Sequence, residues 1–201
     1  MDIKVINNVP NINVTVNKSE DGSFAILVAE DKKNALGSYK PGSIVKIGNR
    51  EYIVLGHSAE TTAVITKDFA TSMRFGINGN WTESDVREYC NGEFYDELVA
   101  AVGANHIIKH NVNLVADDGT GNGKRCRDNV SILTNELYRR YREFLNPCSD
   151  WWWTSTRTTC VSEHYIRDVC CVSSHGVLNF LECSFSKGVR PFCILDSSIL
   201  I

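Results

Sequence analysis

The cysteines carry the most chemical potential in this 201-residue chain. Six of the eight lie between positions 148 and 193, and none belongs to a Cys-x-x-Cys pair, so zinc-ribbon and thioredoxin-type chemistry has no support. Free, mostly structural thiols are favoured, because the chain shows no secretory signal and such chains are usually made in a reducing compartment. A disulfide framework remains the alternative. The cysteines are Cys90, Cys126, Cys148, Cys160, Cys170, Cys171, Cys183 and Cys193.

Two other groups of residues have the chemistry of metal ligands. His106 and His110 are four apart, as ligands on one helical face are, but the aliphatic residues around them favour a strand. The 117–123 loop, Asp-Asp-Gly-Thr-Gly-Asn-Gly, offers the hard oxygen donors that calcium prefers. Its spacing differs from an EF-hand, and Asp and Gly are ordinary turn residues. We therefore predict no metal and no cofactor, with calcium in this loop as the alternative.

Motifs of covalent and hydrolytic catalysis are absent. The sequence has no Gly-x-Ser-x-Gly elbow, no phosphate-binding loop and no His-Glu-x-x-His helix. His57 falls in a turn signal without an acid placed to orient it. The chain is therefore expected to work by binding and not as an enzyme.

Three consecutive tryptophans, Trp151, Trp152 and Trp153, form the most distinctive aromatic run. On a strand they must point to both faces, so at least one ring should enter the core. Packing is the favoured interpretation for Trp151 or Trp152. An exposed ring that stacks on a sugar or a side chain is the alternative.

Composition narrows the classes of partner. The formal net charge is −3 and the charges are mixed, so nucleic-acid binding has no electrostatic footprint, and the basic run 139–142 is interpreted as the solvated side of a helix. No apolar run approaches the roughly 20 residues that span a membrane, which predicts no membrane insertion. The start, Met1 to Val5, lacks a signal-peptide core, which predicts cytoplasmic synthesis.

Alternating apolar residues predict a β-rich arm over residues 1–40. Ile12, Val14 and Val16 alternate with polar residues, 23–29 is a second strand, and the residues from Glu20 to Ser23 signal the turn between them. A hairpin packed on the core is favoured. An arm that docks on a partner or on another subunit is the alternative.

Residues 41–201 are predicted to form one α+β domain. Three β-branched runs, 43–47, 51–56 and 61–66, predict a meander. Thr82 or Ser84 caps a first helix that breaks near Asn91-Gly92, and a second helix starts after Thr134 and ends before Pro147. From Trp151 to the end we expect strands and loops. This segregated order indicates two helices with small antiparallel sheets.

Four ordered motifs give the domain a family resemblance. They are Trp81-x-x-Ser84-x-x-Arg87, Trp151-Trp152-Trp153-Thr154-Ser155, a turn at Gly176, and Gly188-Val189-Arg190-Pro191-Phe192. The set, covering roughly 41–201, resembles the C-type-lectin-like fold of the formylglycine-generating-enzyme branch. Related domains of unknown function occur in bacteria and phages, and the variable proteins of diversity-generating retroelements are a related group.

The resemblance implies a scaffold and a binding face. The scaffold residues would be Trp81, Trp151, Trp152, Trp153, Gly188, Arg190 and Pro191. The segment between the tryptophan and Gly-x-Arg-Pro motifs would carry the contacts. The predicted contacts are Arg157, Ser162, His164, Tyr165, Arg167, Asp168, Ser173, His175, Asn179 and Glu182. The implied function is recognition of a protein or glycan receptor on a cell surface by a phage-tail or surface-displayed module, which can also form homo-oligomers.

The sequence departs from the family pattern in several places, and other functions remain as alternatives to receptor binding. The Glu-Pro-Asn and Gln-Pro-Asp signatures of calcium-dependent sugar binding are absent, and the tryptophan run is one residue longer than the usual pair. A thiol-dependent oxidase-like enzyme of the same fold would need reactive cysteines among Cys170, Cys171 and Cys183. A structural virion component working through its N-terminal arm is the third hypothesis.

The composition of the 154–185 segment also fits retroelement diversification. Adenine mutagenesis of Asn codons cannot yield Lys, Gln, Met, Trp or Glu, and only Glu163 and Glu182 of this segment fall in that class. Cysteine is an allowed outcome. However, the chain contains no Gln at all, and β-rich segments are generally poor in Lys and Glu. A hypervariable recognition protein is therefore one form of the binding hypothesis.

Overall fold

The computed structural model describes residues 12–30, 33–121, 123–161 and 165–201. The chain divides between Asn34 and Ala35 into two compact units, whereas the sequence predicted a boundary after residue 40.

The N-terminal unit contains the predicted β-hairpin. Strand β1, Ile12–Lys18, pairs antiparallel with β2, Phe24–Glu30. In the turn between them Gly22 has a φ of 83°, and the carboxylate of Asp21 accepts the amide of Ser23 at 2.9 Å. This combination of a left-handed glycine and an aspartate side-chain bond is typical of tight turns.

The second unit begins with the predicted meander. Strands β3, β4 and β5 are Ile44–Ile47, Arg50–Ser58 and Thr61–Thr66, each antiparallel to the next. The remaining strands are β6 Thr71–Arg74, β7 Ile107–Ile108, β8 His110–Asn113, β9 Arg125–Asp128, β10 Val130–Ser131, β11 Trp152–Arg157, β12 Asp168–Val172, β13 Leu178–Glu182, β14 Ser186–Val189 and β15 Phe192–Asp196.

The described residues of the second unit form three short α-helices, of which the first and the third begin at the capping residues that the sequence indicated. Helix α1, Asp85–Asn91, is capped by the Ser84 hydroxyl, and Gly92 separates it from α2, Glu93–Val102, which confirms the expected break. Helix α3, Asn135–Tyr141, is capped by Thr134 as predicted. It ends earlier than predicted, because a 3-10 turn occupies residues 142–144 before Pro147. Other 3-10 turns are Leu36–Ser38, Trp81–Glu83 and Ala104–His106.

Two sheets organise this unit. The meander continues through β15 to β10, in the order β10-β15-β5-β4-β3, and β7 also pairs with β15. The other sheet has the order β13-β12-β11-β14-β6, with the tryptophan strand β11 at its centre and β13 at an edge. A separate ribbon pairs β8 with β9.

The α+β class predicted from the sequence is therefore confirmed. In the described part of the chain no helix has the length and apolar content to cross a bilayer.

The tryptophans of β11 divide the core between the two faces of the strand. Trp153 packs edge-on against Phe75 at 5.7 Å between ring centroids. Trp152 packs edge-on against Tyr138 of α3 at 5.6 Å. Both rings are buried. Because successive residues of a strand point to opposite faces, Trp153 belongs to one hydrophobic cluster and Trp152 to the other. Neither is available as a stacking platform.

Candidate binding surface

The Trp81-x-x-Ser84-x-x-Arg87 motif is a structural unit built around a buried aspartate. The Ser84 hydroxyl donates to the Trp81 carbonyl and accepts the Arg87 amide. The Trp81 indole donates to Asp128 at 2.8 Å, and the Arg87 guanidinium donates to it at 2.7 and 3.0 Å. Burial opposes the charge on Asp128, but these hydrogen bonds outweigh burial and lower its pKa.

The Gly-x-Arg-Pro motif lies beside the tryptophan strand. A Cβ at Gly188 would lie 2.6 Å from ring carbons of Phe69, which explains why this position is glycine. Arg190 is wholly buried, with its guanidinium carbon 5.2 Å from the Trp152 ring centre. It donates to the carbonyls of Thr66 and Lys67 and to the Asn146 amide oxygen. Pro191 is also buried, and Trp151 is half-buried beneath Lys187.

The predicted contacts separate into two groups at opposite ends of the β12–β13 hairpin. Asp168 pairs with Glu182 at one end, and Val172 pairs with Leu178 at the other. A five-residue strand puts these ends about 13 Å apart. Arg157 and the segment 165–168 belong to the first end. The segment 173–175 belongs to the turn at the second end, so one compact ligand cannot touch all the predicted residues.

The first end of the hairpin carries an exposed ion pair beside an aromatic pair. Arg167 donates to Glu182 at 2.9 Å, and both side chains are about half exposed. The rings of Tyr165 and Phe180 meet edge-on at 6.3 Å. Burial, and then the charge of Glu182, raise the pKa of Asp168. We call Tyr165, Ile166, Arg167, Phe180 and Glu182 the aromatic surface.

Exposed apolar residues that sequence reasoning missed complete this end. Phe180 is 49% exposed and Ile166 42%, and nearby loops add Phe185 and Ile77, both more than half exposed. Hydrogen bonds join these loops: Gly79 donates to the carbonyl of Ile166, and Phe75 donates to that of Cys183. Apolar residues clustered on a surface mark interaction sites more reliably than scattered ones. The available signal was the two phenylalanines at 180 and 185 within a predicted contact segment.

Ser173 is not a surface contact, because it is buried in the β12–β13 turn and its hydroxyl accepts the Val177 amide at 3.1 Å. His175 is exposed in that turn, and Asn179 is exposed on β13, where its side chain accepts the amide of Phe180. Arg157 is half-buried at the end of β11. Ser162 and His164 lie outside the described residues.

All eight cysteines are free thiols in the structure. Burial raises the pKa of Cys170 and of Cys171 to about 12, and burial also raises that of Cys183. A nucleophilic cysteine needs the opposite, a lowered pKa and access to solvent. These three thiols have the properties of small packing residues.

The candidate metal ligands are engaged elsewhere. Asp118 accepts the amide and hydroxyl of Thr120, and Asp117 accepts from Asn135 at 2.7 Å. His106 contacts Asp196, whereas His110 is buried against Ser131. Among the described residues, no three His, Cys, Asp or Glu side chains are grouped as metal ligands.

Comparison with known proteins found no matching family model, no matching curated protein and no matching solved structure.

Proposed function

We propose that the chain is a recognition module that binds a protein or glycan receptor through the aromatic surface. The observation that carries this proposal is the exposed pair Tyr165–Phe180 with the ion pair Arg167–Glu182 beside it. Binding interfaces commonly combine an aromatic centre with a polar rim. Tyrosine provides contact area at low entropic cost, and arginine and glutamate provide directional hydrogen bonds.

The framework beneath the surface supports this role. Strand β12 is buried from Val169 to Val172, so the exposed residues of β13 stand on a packed sheet. A rigid base reduces the ordering cost of binding. In the described part of the chain β13 pairs with β12 alone, and an unpaired strand edge can pair with a strand of another molecule. Charges such as those of Arg167 and Glu182 beside the edge are a common protection against such aggregation.

The same proposal includes the finer fold and setting. The α+β unit with its tryptophan, arginine and proline framework would be a C-type-lectin-like domain of the formylglycine-generating-enzyme branch, carried on a phage tail or a cell surface. Many weak copies on such a particle would bind strongly by multivalency.

A receptor-binding experiment tests the function. Fluorescent multimers of the wild type are applied to immobilised glycans and to bacterial cells, beside Tyr165→Ser/Phe180→Ser multimers. The matched control is Ile44→Ser, which alters an exposed apolar residue at the edge of the other sheet. We expect the wild type and the control to bind and the double variant to lose binding. Equal binding by all three proteins would refute the proposed surface.

A genomic observation tests the hypervariable form of the proposal. A near-identical template repeat beside a reverse-transcriptase gene, differing at adenines within the codons for 154–185, is the expected finding. Without such a repeat, the module would be an invariant receptor-binding protein.

Thiol titration tests the oxidase-like alternative, which the buried thiols oppose. In the folded protein we expect Cys170, Cys171 and Cys183 to react slowly with a disulfide reagent, and to react fully only after denaturation. Rapid reaction of one of them in the native state would instead favour the enzyme.

A further inference from the structure

A small cleft of about 120 Å³ lies at the turn end of the β12–β13 hairpin, away from the aromatic surface. Tyr138 and Arg142 come from α3 and the 3-10 turn that follows it, and His175 and Gly176 come from the hairpin turn. Trp152 and Cys148 are also part of the lining. In another protein an enclosed, engineered cavity of about 150 Å³ accepts benzene. This cleft is somewhat smaller but open to solvent, so it can hold most of a benzene-sized group.

One hydrogen bond and the glycine that permits it hold the cleft in shape. The Tyr138 hydroxyl donates to the Gly176 carbonyl at 2.7 Å, which ties the turn to α3. Gly176 has a φ of 75°, and a Cβ there would lie 3.1 Å from that hydroxyl oxygen. Glycine is therefore needed both for the backbone conformation and for the close approach.

Among the described residues that line the cleft, Arg142 is the side chain with a fixed charge. Arg142 is exposed, with its guanidinium carbon 6.0 Å from the Tyr138 ring centre, and His175 of the hairpin turn is exposed as well. None of the lining residues in the described part of the chain is acidic. Within the described ranges Arg142 forms no ion pair, although Arg139 and Arg140 of the preceding helix α3 both do.

A second guanidinium behind the lining adds to this positive field. Arg190 is wholly buried against Trp152 and Asn146, both of which line the cleft. Its Nη1 has no hydrogen-bond partner, and within the described ranges the side chain forms no ion pair. Burial lowers the pKa of Arg190 even though the Asp68 carboxylate acts on it. A further anion nearby would therefore offset part of the cost of burying this cation.

We propose that this cleft binds a carboxylate carried on a small apolar group. The carboxylate would lie at Arg142, whose guanidinium can form two parallel hydrogen bonds with it. The apolar body would lie against Leu145, Pro147 and the edges of Tyr138 and Trp152 that line the cleft. Apolar walls with a few directional polar groups are the usual composition of small-molecule sites. The proposal does not depend on the aromatic surface, which lies at the other end of the hairpin.

Benzoate is the probe that matches this chemistry, and benzamide is its neutral counterpart. In ¹⁵N-labelled protein we expect benzoate to shift the Gly176 amide and the Trp152 indole signals, saturating at a dissociation constant on the order of 1 mM. Benzamide should bind at least about tenfold more weakly, because it lacks the charge that pairs with Arg142.

Matched variants locate the binding. Arg142→Gln should weaken benzoate binding at least about tenfold, whereas Arg140→Gln, two residues earlier in α3 and outside this cleft, should leave it unchanged. Both arginines are exposed, so both variants should fold. Equal binding of benzoate and benzamide, no saturable shift up to about 20 mM, or full affinity in Arg142→Gln would each overturn the proposal. None of these outcomes bears on receptor binding at the aromatic surface.

Discussion

Strands β11 and β13 belong to one sheet, two positions apart, yet their exposure is opposite. In β11 every residue from Trp152 to Thr156 is buried, whereas no residue of β13 is. The central strand β11 is covered on both faces by core clusters. The edge strand β13 pairs with β12 on one side, and its side chains are partly or fully exposed to solvent. Residues that determine the fold and residues free to make contacts are therefore separated by position in the sheet rather than along the sequence.

The largest expected effect comes from removing an aromatic ring at the sheet centre. Trp153→Ala deletes a fully buried ring that packs on Phe75 and donates to the Met73 carbonyl. We expect a loss of about 3 to 5 kcal/mol in the free energy of unfolding, measured by urea denaturation. A loss below about 1 kcal/mol would remove the distinction between the two strands.

The buried aspartate tests whether charge matters as much as packing in the covered part of the molecule. Asp128→Asn leaves Arg87 without its counter-ion, and since Arg87 is one-third exposed we expect a loss of about 2 to 3 kcal/mol.

This effect has a defined pH dependence. The pKa of Asp128 is below its usual 3.8 in the folded state, so its contribution is complete above that value and disappears as the pH falls through the folded pKa. Denaturation at pH 7 and at pH 3 should therefore show a gap between wild type and variant that narrows in acid. A constant gap would mean that the carboxylate is not the source.

Removing an aromatic ring from the sheet edge should lower the free energy of unfolding much less than Trp153→Ala does. Phe180→Ala removes a half-exposed ring whose described aromatic partner is Tyr165, and we expect a loss of about 1 kcal/mol. Urea denaturation beside Trp153→Ala gives the direct comparison. Similar losses in both variants would show that β13 is part of the core.

The smallest effect is expected at the edge ion pair. Arg167→Gln breaks an exposed contact with Glu182, so stability should change by about 0.5 kcal/mol or less. Receptor binding should nevertheless weaken in the multimer assay. A large loss of stability with unchanged binding would make Arg167 a framework residue and would sharpen the boundary of the contact surface.

Local patterns predicted much of the fold. Ser84 and Thr134 cap their helices as expected, Gly92 interrupts the first helical segment, and the three β-branched runs form the meander. Each of these signals acts between residues a few positions apart, where hydrogen bonding and side-chain period are set by the chain itself.

The arrangement of the site was less predictable. The contact segment includes Asp168 and Glu182, which the structure brings together, and also His175, which it places at the far end of the hairpin. Strand register determines that separation, and the register depends on which turn forms between the strands. Ser173 has the residue type of a contact, but its hydroxyl bonds inside that turn.

What the sequence by itself determined is the succession of hairpin, meander, capped helices and late strands, because propensity and alternation operate over short distances. Only the tertiary structure decided that Asp128 joins Trp81 to Arg87 and that Arg190 lies behind Trp152. Such pairings link residues far apart in the chain, and they depend on how the sheets and helices pack.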